Sequence, residues 1–277
     1  MTNCFPQKRP RANVYADHPF TLIKTPVFQL NPETHVNPLL LPSHPTIFHD
    51  MASEMALIHN LIFRGLNSIY LQAPHIQSAD TLSFVNYMHQ WCRAIDIHHR
   101  GEEAEFFPAI EKAAGEAGIM DINIEQHKAF TGPLEAFGKY VEACCQHRDV
   151  FDGGKVVRMI NDFGPALKEH LNAEIGTILG LEKYGQERMA HLVPLFAEES
   201  KKAMKSMGLT AGLPFVAVNL DMNYEDGIWR EKVPPKEGQR ILTVVRNITY
   251  WLHRDWWKFG SCDRHGNLQR LYAATDE

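Results

Sequence analysis

Two stretches of the 277-residue chain repeat one arrangement, a histidine followed four residues later by a glutamate: His98 with Glu102, and His170 with Glu174. On a helix that spacing stacks both side chains on one face, one turn apart. Two more histidines, His59 and His127, fall within patterns that are otherwise apolar at helical spacing. A single histidine on such a pattern is most simply a core residue with a local hydrogen bond. Four of them together with two carboxylates need another account. Burying an ionised carboxylate costs several kcal/mol even after relaxation, and buried Glu is rare unless paired. No Lys or Arg lies on the apolar seams to neutralise the two glutamates. Cations supply the missing positive charge, so the six side chains His59, His98, Glu102, His127, His170 and Glu174 form a candidate metal-ligand set.

The donor types narrow the metal. Imidazole and carboxylate without thiolate do not suit a closed structural zinc site, and calcium and magnesium prefer all-oxygen shells. Six donors exceed the need of one tetrahedral ion, whereas two ions bridged by carboxylates use the whole set. Imidazole suits iron, and carboxylate-and-histidine sites inside helical bundles hold di-iron and di-manganese pairs. Two iron ions per chain are the expectation, with manganese, zinc or a mixed pair also compatible with these ligand types.

Four amphipathic helices must hold these donors. Reading at steps of three and four gives the seams Phe48-Ala52-Met55-His59-Ile62-Leu66-Ile69, Met88-Trp91-Ile95-His98-Glu102, Met120-Ile124-His127-Phe130-Leu134-Phe137-Val141 and Phe163-Leu167-His170-Glu174-Ile178-Leu181. Turn signals separate the segments at Ala73-Pro74 with Ser78 to Asp80, at Gly115 to Gly118, and at Asp149 to Gly154. Asp80 is read as an N-cap. Short connections between long helices predict an all-α, up-down-up-down four-helix bundle. Three regions are expected: an extended, Pro-rich N-terminal arm over 1–45, the metal-binding bundle over 46–184, and an irregular, aromatic C-terminal extension over 185–277 that packs on or caps the bundle. The aromatic run from Tyr250 to Phe259 either covers apolar surface left by the bundle or forms a lid that shapes a substrate pocket above the metals.

Composition fits a soluble globular chain, with 44% apolar and 22% charged residues. Lys plus Arg number 28 against 33 Asp plus Glu, a formal charge of −5, which does not suit a nucleic-acid partner. Five cysteines without a C-x-x-C spacing do not make a disulfide framework. No apolar run approaches membrane-spanning length, and the N-terminus lacks a signal-peptide core, so a cytoplasmic location without membrane contact is expected. The sequence leaves the oligomeric state undetermined.

At these residues the chain resembles the hemerythrin-like, HHE cation-binding family. His98-His99-Arg100-Gly101-Glu102-Glu103-Ala104-Glu105-Phe106-Phe107-Pro108 is similar to the family's H-x-x-x-E-E…F-P run, Glu125-Gln126-His127 to its third-helix histidine, and His170 to Glu174 to its last H-x-x-x-E. The resemblance covers roughly Phe48 to Tyr184. The C-terminal tail is weakly similar to extensions on fungal members. What the resemblance implies is a four-helix bundle with a non-haem di-iron centre that meets dioxygen or related small oxidants.

Two details bear on function. His99 also has a partner four residues on, Glu103, but the seam phase favours His98 and Glu102 and turns His99 and Glu103 about 100° away, so that His99 and Glu103, with His75 and Thr131, are candidates for an additional ligand or for the groups that surround the ligands. Oxygen-carrying family members have a second third-helix histidine where this chain has Thr131. One imidazole fewer leaves a coordination position for water, a carboxylate or a substrate, and His75, beyond the first helix, is a candidate replacement. His89, one residue off the seam, is read as a surface residue. The expected function is therefore a di-iron protein that binds dioxygen and activates it to oxidise a small organic substrate. The alternative is non-enzymatic oxygen or iron binding, storage or sensing; metal repair or nitric-oxide handling is a third possibility suggested by intracellular family members.

Overall fold

The computed structural model describes residues 13–24, 46–233 and 238–275. Most of the Pro-rich arm, including 1–12 and 25–45, lies outside the described residues. Helix α1 (Ile47–Gln72) ends where Pro74 cannot continue it, and two short 3₁₀ turns lead into α2 (Thr81–Gly101). A π-helical turn, Glu102–Phe106, joins α2 to α3 (Phe107–Ala114). Pro108 explains its position: the ring has no N–H for the carbonyl of Ala104 and would clash with it in a regular helix, so the turn widens just upstream. Gly115, at φ 63°, supplies the left-handed residue that stops α3. Helices α4 (Asp121–Cys145) and α5 (Gly153–Gly180) follow, the second capped by Asp152, whose carboxylate accepts from the backbone N–H of Lys155. Asp80 stands at the N-cap position of α2 without capping it; its carboxylate pairs with Lys258 at 2.6 Å.

Pairs of contacts give the direction of each helix. Trp91 donates to the carbonyl of Ile62 while His98 lies near His59, so α1 and α2 are antiparallel. Trp91 with Phe137 and His99 with His127 give the same answer for α2 and α4. Phe137 with Phe163 and His127 with His170 do so for α4 and α5. Gly153 against the carbonyl of Ala73, and His59 beside Leu171, do so for α5 and α1. The bundle is up-down-up-down, and no strand occurs among the described residues.

Helix α1 is more than one wall. Its outward side is covered as well, and the polar residues there have partners from both ends of the chain. Asn60 exchanges two hydrogen bonds with the backbone of Ile23, and Asn67 does the same with Phe20. Arg64 pairs with Asp221 at 3.0 Å, and Gln72 and Ser68 donate to the carbonyl of Phe259. Bundle, arm and extension share one apolar core that runs from Phe20 to Phe259.

The extension is more helical than its proline and aromatic content suggests. Its longest element, α6 (Leu192–Met207), is followed by α7 (Leu213–Ala217) and several single turns. The aromatic run packs at the start of α2, with Phe259 4.9 Å from Phe84 and Trp257 fully buried. Fourteen residues of helix, about 21 Å, separate Phe84 from His98. The run therefore caps the far end of the bundle and is not a lid over the histidines. Helix α6 takes that place, with Phe196 5.2 Å from Phe106 of the π turn.

Candidate metal centre

The donors converge in two groups that share one residue. His99, Glu102, His127 and His170 form the first, and His59, His98, Glu102 and Glu174 the second, with the ligating atoms of each group within 4.8 Å of one another. Glu102 turns one oxygen to each side: Oε1 lies 3.0 Å from His98 Nε2 and Oε2 lies 3.6 Å from His127 Nε2. Glu174 Oε2 stands 3.3 Å from His59 Nε2 and 3.9 Å from His170 Nε2. A carboxylate divided in this way is suited to bridge two cations.

All six seam residues meet here, together with His99. His99 faces inward, its ring 4.5 Å from His127 and 5.5 Å from His170. The offset of about 100° read from the seam phase does not carry its ring out of the interior. A helix inside a bundle buries an arc of 100° or more, so two consecutive residues can flank its centre line. His98 occupies the edge toward α1 and His99 the edge toward α4 and α5.

The outer nitrogens fix the inner ones. His59 Nδ1 lies 2.8 Å from the Leu171 carbonyl, His127 Nδ1 2.6 Å from Glu103 Oε1, and His170 Nδ1 3.4 Å from Gln126 Oε1. An N–H directed at those acceptors leaves Nε2 as an unprotonated donor pointing into the bundle. Glu103, half exposed, thus orients His127 from outside the donor groups. Gln126 had no signal in the sequence beyond its place beside His127.

Among the described residues the interior atoms lack hydrogen-bond partners. His59 Nε2, His98 Nε2, His99 Nε2 and both oxygens of Glu102 and of Glu174 are buried without a hydrogen bond. Among the described residues their neighbours within reach are one another, a cluster of metal-ligating atoms that a cation pair would satisfy. Burial holds the His59 and His99 imidazoles well below the ordinary range, and His170 down to about 3. Burial, aided by the charge of Glu174, pushes the Glu102 carboxyl well above its ordinary value. Neutral imidazoles are the metal-binding form, and a carboxyl this reluctant to ionise alone needs a cation beside it. Phe130, 5.1 Å from His99 and 5.6 Å from His170, and Phe107, 5.7 Å from His127, wall the site against water.

The remaining candidates lie elsewhere. His75 sits beyond the C-terminus of α1, about 24 Å of helix from His59, with its Nε2 3.3 Å from the hydroxyl of Thr275; it does not supply a seventh ligand. Thr131 donates to the carbonyl of His127 at 2.6 Å and so points back along α4. His89, half-buried, is outside both groups. One acidic residue that the spacing did not flag stands close by: Glu199 of α6 packs on the backbone at Gly101, where a methyl group would come within 2.0 Å of its Oε1.

No helix among the described residues is long and apolar enough to cross a membrane. No solved structure matches the chain. The family model of the hemerythrin HHE cation-binding domain matches residues 50–181, which span all seven donors. The dimeric xanthone biosynthesis cluster protein R11 of Cryptosporiopsis sp. (strain 8999) is 33% identical over 242 residues, covering 85% of this chain and 87% of that protein. With its helix order, its donor groups and these two likenesses, the chain belongs to the hemerythrin-like, HHE cation-binding family.

Proposed function

We propose that the chain holds two iron ions between these donor groups and uses them to activate dioxygen for the oxidation of a small organic molecule. The observation that carries this reading is the pair of four-donor groups joined at Glu102, with unpartnered Nε2 and carboxylate atoms facing one interior. Four protein donors per ion leave positions on each that a six-coordinate iron would offer to exchangeable ligands. When bound, an iron pair supplies one-electron redox couples and Lewis acidity.

The chain's own residues supply the rest. Glu103 and the Leu171 carbonyl hold His127 and His59 in the tautomer that presents Nε2. The shared carboxylate of Glu102 can shift between the two groups and alter how open each position is. Phe107 and Phe130 exclude water, which strengthens every charge interaction inside. The relative's name refers to a biosynthesis cluster, which favours an oxidising enzyme over a carrier. The walled, buried interior is also what a reversible oxygen binder requires.

The test begins with anaerobic reconstitution of the full chain with Fe(II) and a count of iron per chain, with manganese and zinc loaded in parallel. Dioxygen is then admitted with and without phenolic and polycyclic aromatic compounds. Continued oxygen uptake that depends on an added compound is the expected result. One dioxygen taken up reversibly per two irons, with no turnover, would replace the enzyme by an oxygen-binding protein.

A further inference from the structure

We propose that Glu199, carried on α6 of the C-terminal extension, is the outer carboxylate of His98 and accepts its Nδ1 proton, directly or through one water, when Nε2 holds a cation. The inference rests on the metal-binding reading above. Metal-bound histidines as a rule donate their second N–H to a carboxylate, a backbone carbonyl or a water, which fixes ring orientation and raises basicity. Three of the inward-facing imidazoles already have such an acceptor, in Leu171, Glu103 and Gln126. His98 has none among the described residues; its side chain is 11% exposed, and α6 meets the same turn of α2 through Glu199 at Gly101.

Glu199 is the carboxylate that the extension brings to this side of α2. Gly101 is three residues beyond His98 and so shares its side of α2. The Glu199 carboxylate rests on that glycine, where a Cβ would come within 2.0 Å of its Oε1 and push the side chain aside. It makes no hydrogen bond or ion pair among the described residues, and the nearby Lys202 pairs instead with Glu105 at 2.6 Å. Burial raises the Glu199 carboxyl, and His98 is the largest influence drawing it back. A half-buried carboxylate beside Glu102 and Glu174 is out of place unless an imidazolium-like N–H faces it, and a cation on Nε2 makes the His98 N–H more acidic and a better donor. On this assignment the extension, which lies outside the segment matched by the family model, completes the centre. Glu199 is a positioning residue.

The experiment loads the full-length protein with Co(II), a paramagnetic probe, and compares wild type with Glu199→Leu, Glu199→Gln, Gly101→Ala and the control Glu198→Gln. The first readout is Co(II) affinity by chelator competition. The second is the set of hyperfine-shifted, solvent-exchangeable imidazole N–H protons, with His98→Ala assigning the relevant one. Glu199→Leu is expected to weaken one of the two ions by about ten-fold and to speed exchange of the His98 proton. Glu199→Gln, a neutral acceptor, should be intermediate. Gly101→Ala, which keeps the carboxylate but displaces it, should resemble Glu199→Leu. Metal-free melting should not fall below wild type in Glu199→Leu or Glu199→Gln, since each removes a half-buried charge. Wild-type affinity and an unchanged His98 proton in Glu199→Leu would overturn the assignment and leave the metal centre standing, as would equal losses in Glu199→Leu and Glu198→Gln. A wild-type chain that takes up no Co(II), Fe(II) or Mn(II) would overturn the metal reading itself and the assignment with it.

Discussion

His98 and His99 are neighbours in the chain, yet their rings belong to different donor groups: His98 lies 5.1 Å from His59, and His99 lies 4.5 Å from His127. One turn of α2 therefore feeds both halves of the centre, and Glu102, directly beyond it, is common to the two.

That division predicts unequal effects on metal content. His98→Ala leaves His99, Glu102, His127 and His170 together, and His99→Ala leaves His59, His98, Glu102 and Glu174. Each variant should retain about one ion per chain after loading and dialysis, whereas Glu102→Ala should lose both. His89→Ala and His75→Ala, outside both groups, should match wild type. Elemental analysis of each purified variant checks this. Full loading of Glu102→Ala would mean that the two groups do not share a bridge.

Much of the centre was legible because its chemistry is local. His98 with Glu102 and His170 with Glu174 are read from a spacing of four, and His59 and His127 from the apolar residues on either side of them. The inward turn of His99 was not, because spacing gives the angle between neighbours and not the place where the bundle axis bisects it. Glu199 carried no signal, since its partner surface is at Gly101, on a helix about 100 residues upstream. The polar residues that interrupt α1 were equally opaque. Asn60 meets a backbone 37 positions away and Arg64 a carboxylate 157 positions away, and no local pattern encodes either.

Acid should destabilise the metal-free protein, and the sign follows from the imidazoles. Burial holds His59, His98, His99 and His127 below the ordinary range and His170 down to about 3. Unfolded, each titrates near 6.5. Between the folded and unfolded values the unfolded chain binds more protons, so stability is lost as pH falls from about 6.5 toward the folded values. Glu102 acts in the opposite sense. Its raised carboxyl makes the folded chain bind the extra proton above about 4.3, so its contribution declines as pH rises through that region. Urea midpoints of metal-free wild type should fall steadily below pH 6.5. Metal-free Glu102→Gln should be more stable than wild type at pH 8 and keep the acid loss, while losing the stabilisation that added metal gives wild type. A flat urea midpoint between pH 8 and 5 would contradict the neutral, buried state of the five imidazoles.

The attachment of the extension can be tested without touching a donor. Arg64 and Asp221 join α1 to the segment after α7, with side chains 6% and 13% exposed. Arg64 is five residues from His59, and Asp221 is outside both donor groups. Charges at this depth are expensive to desolvate, so the pair adds little over an apolar contact of equal volume, but either charge left alone is costly. Arg64→Met should lower unfolding free energy by about 3 kcal/mol, and the double change with Asp221→Leu should restore most of it. Metal content should stay at the wild-type value in both, because no ligand moves. Limited proteolysis should open Arg64→Met first within 208–233, where the extension loses its anchor. If Arg64→Met alone proves neutral, Asp221 has reached water, and the extension is held to the bundle by its apolar surface and its other polar contacts, among them those at the Phe259 carbonyl and the Lys258–Asp80 pair.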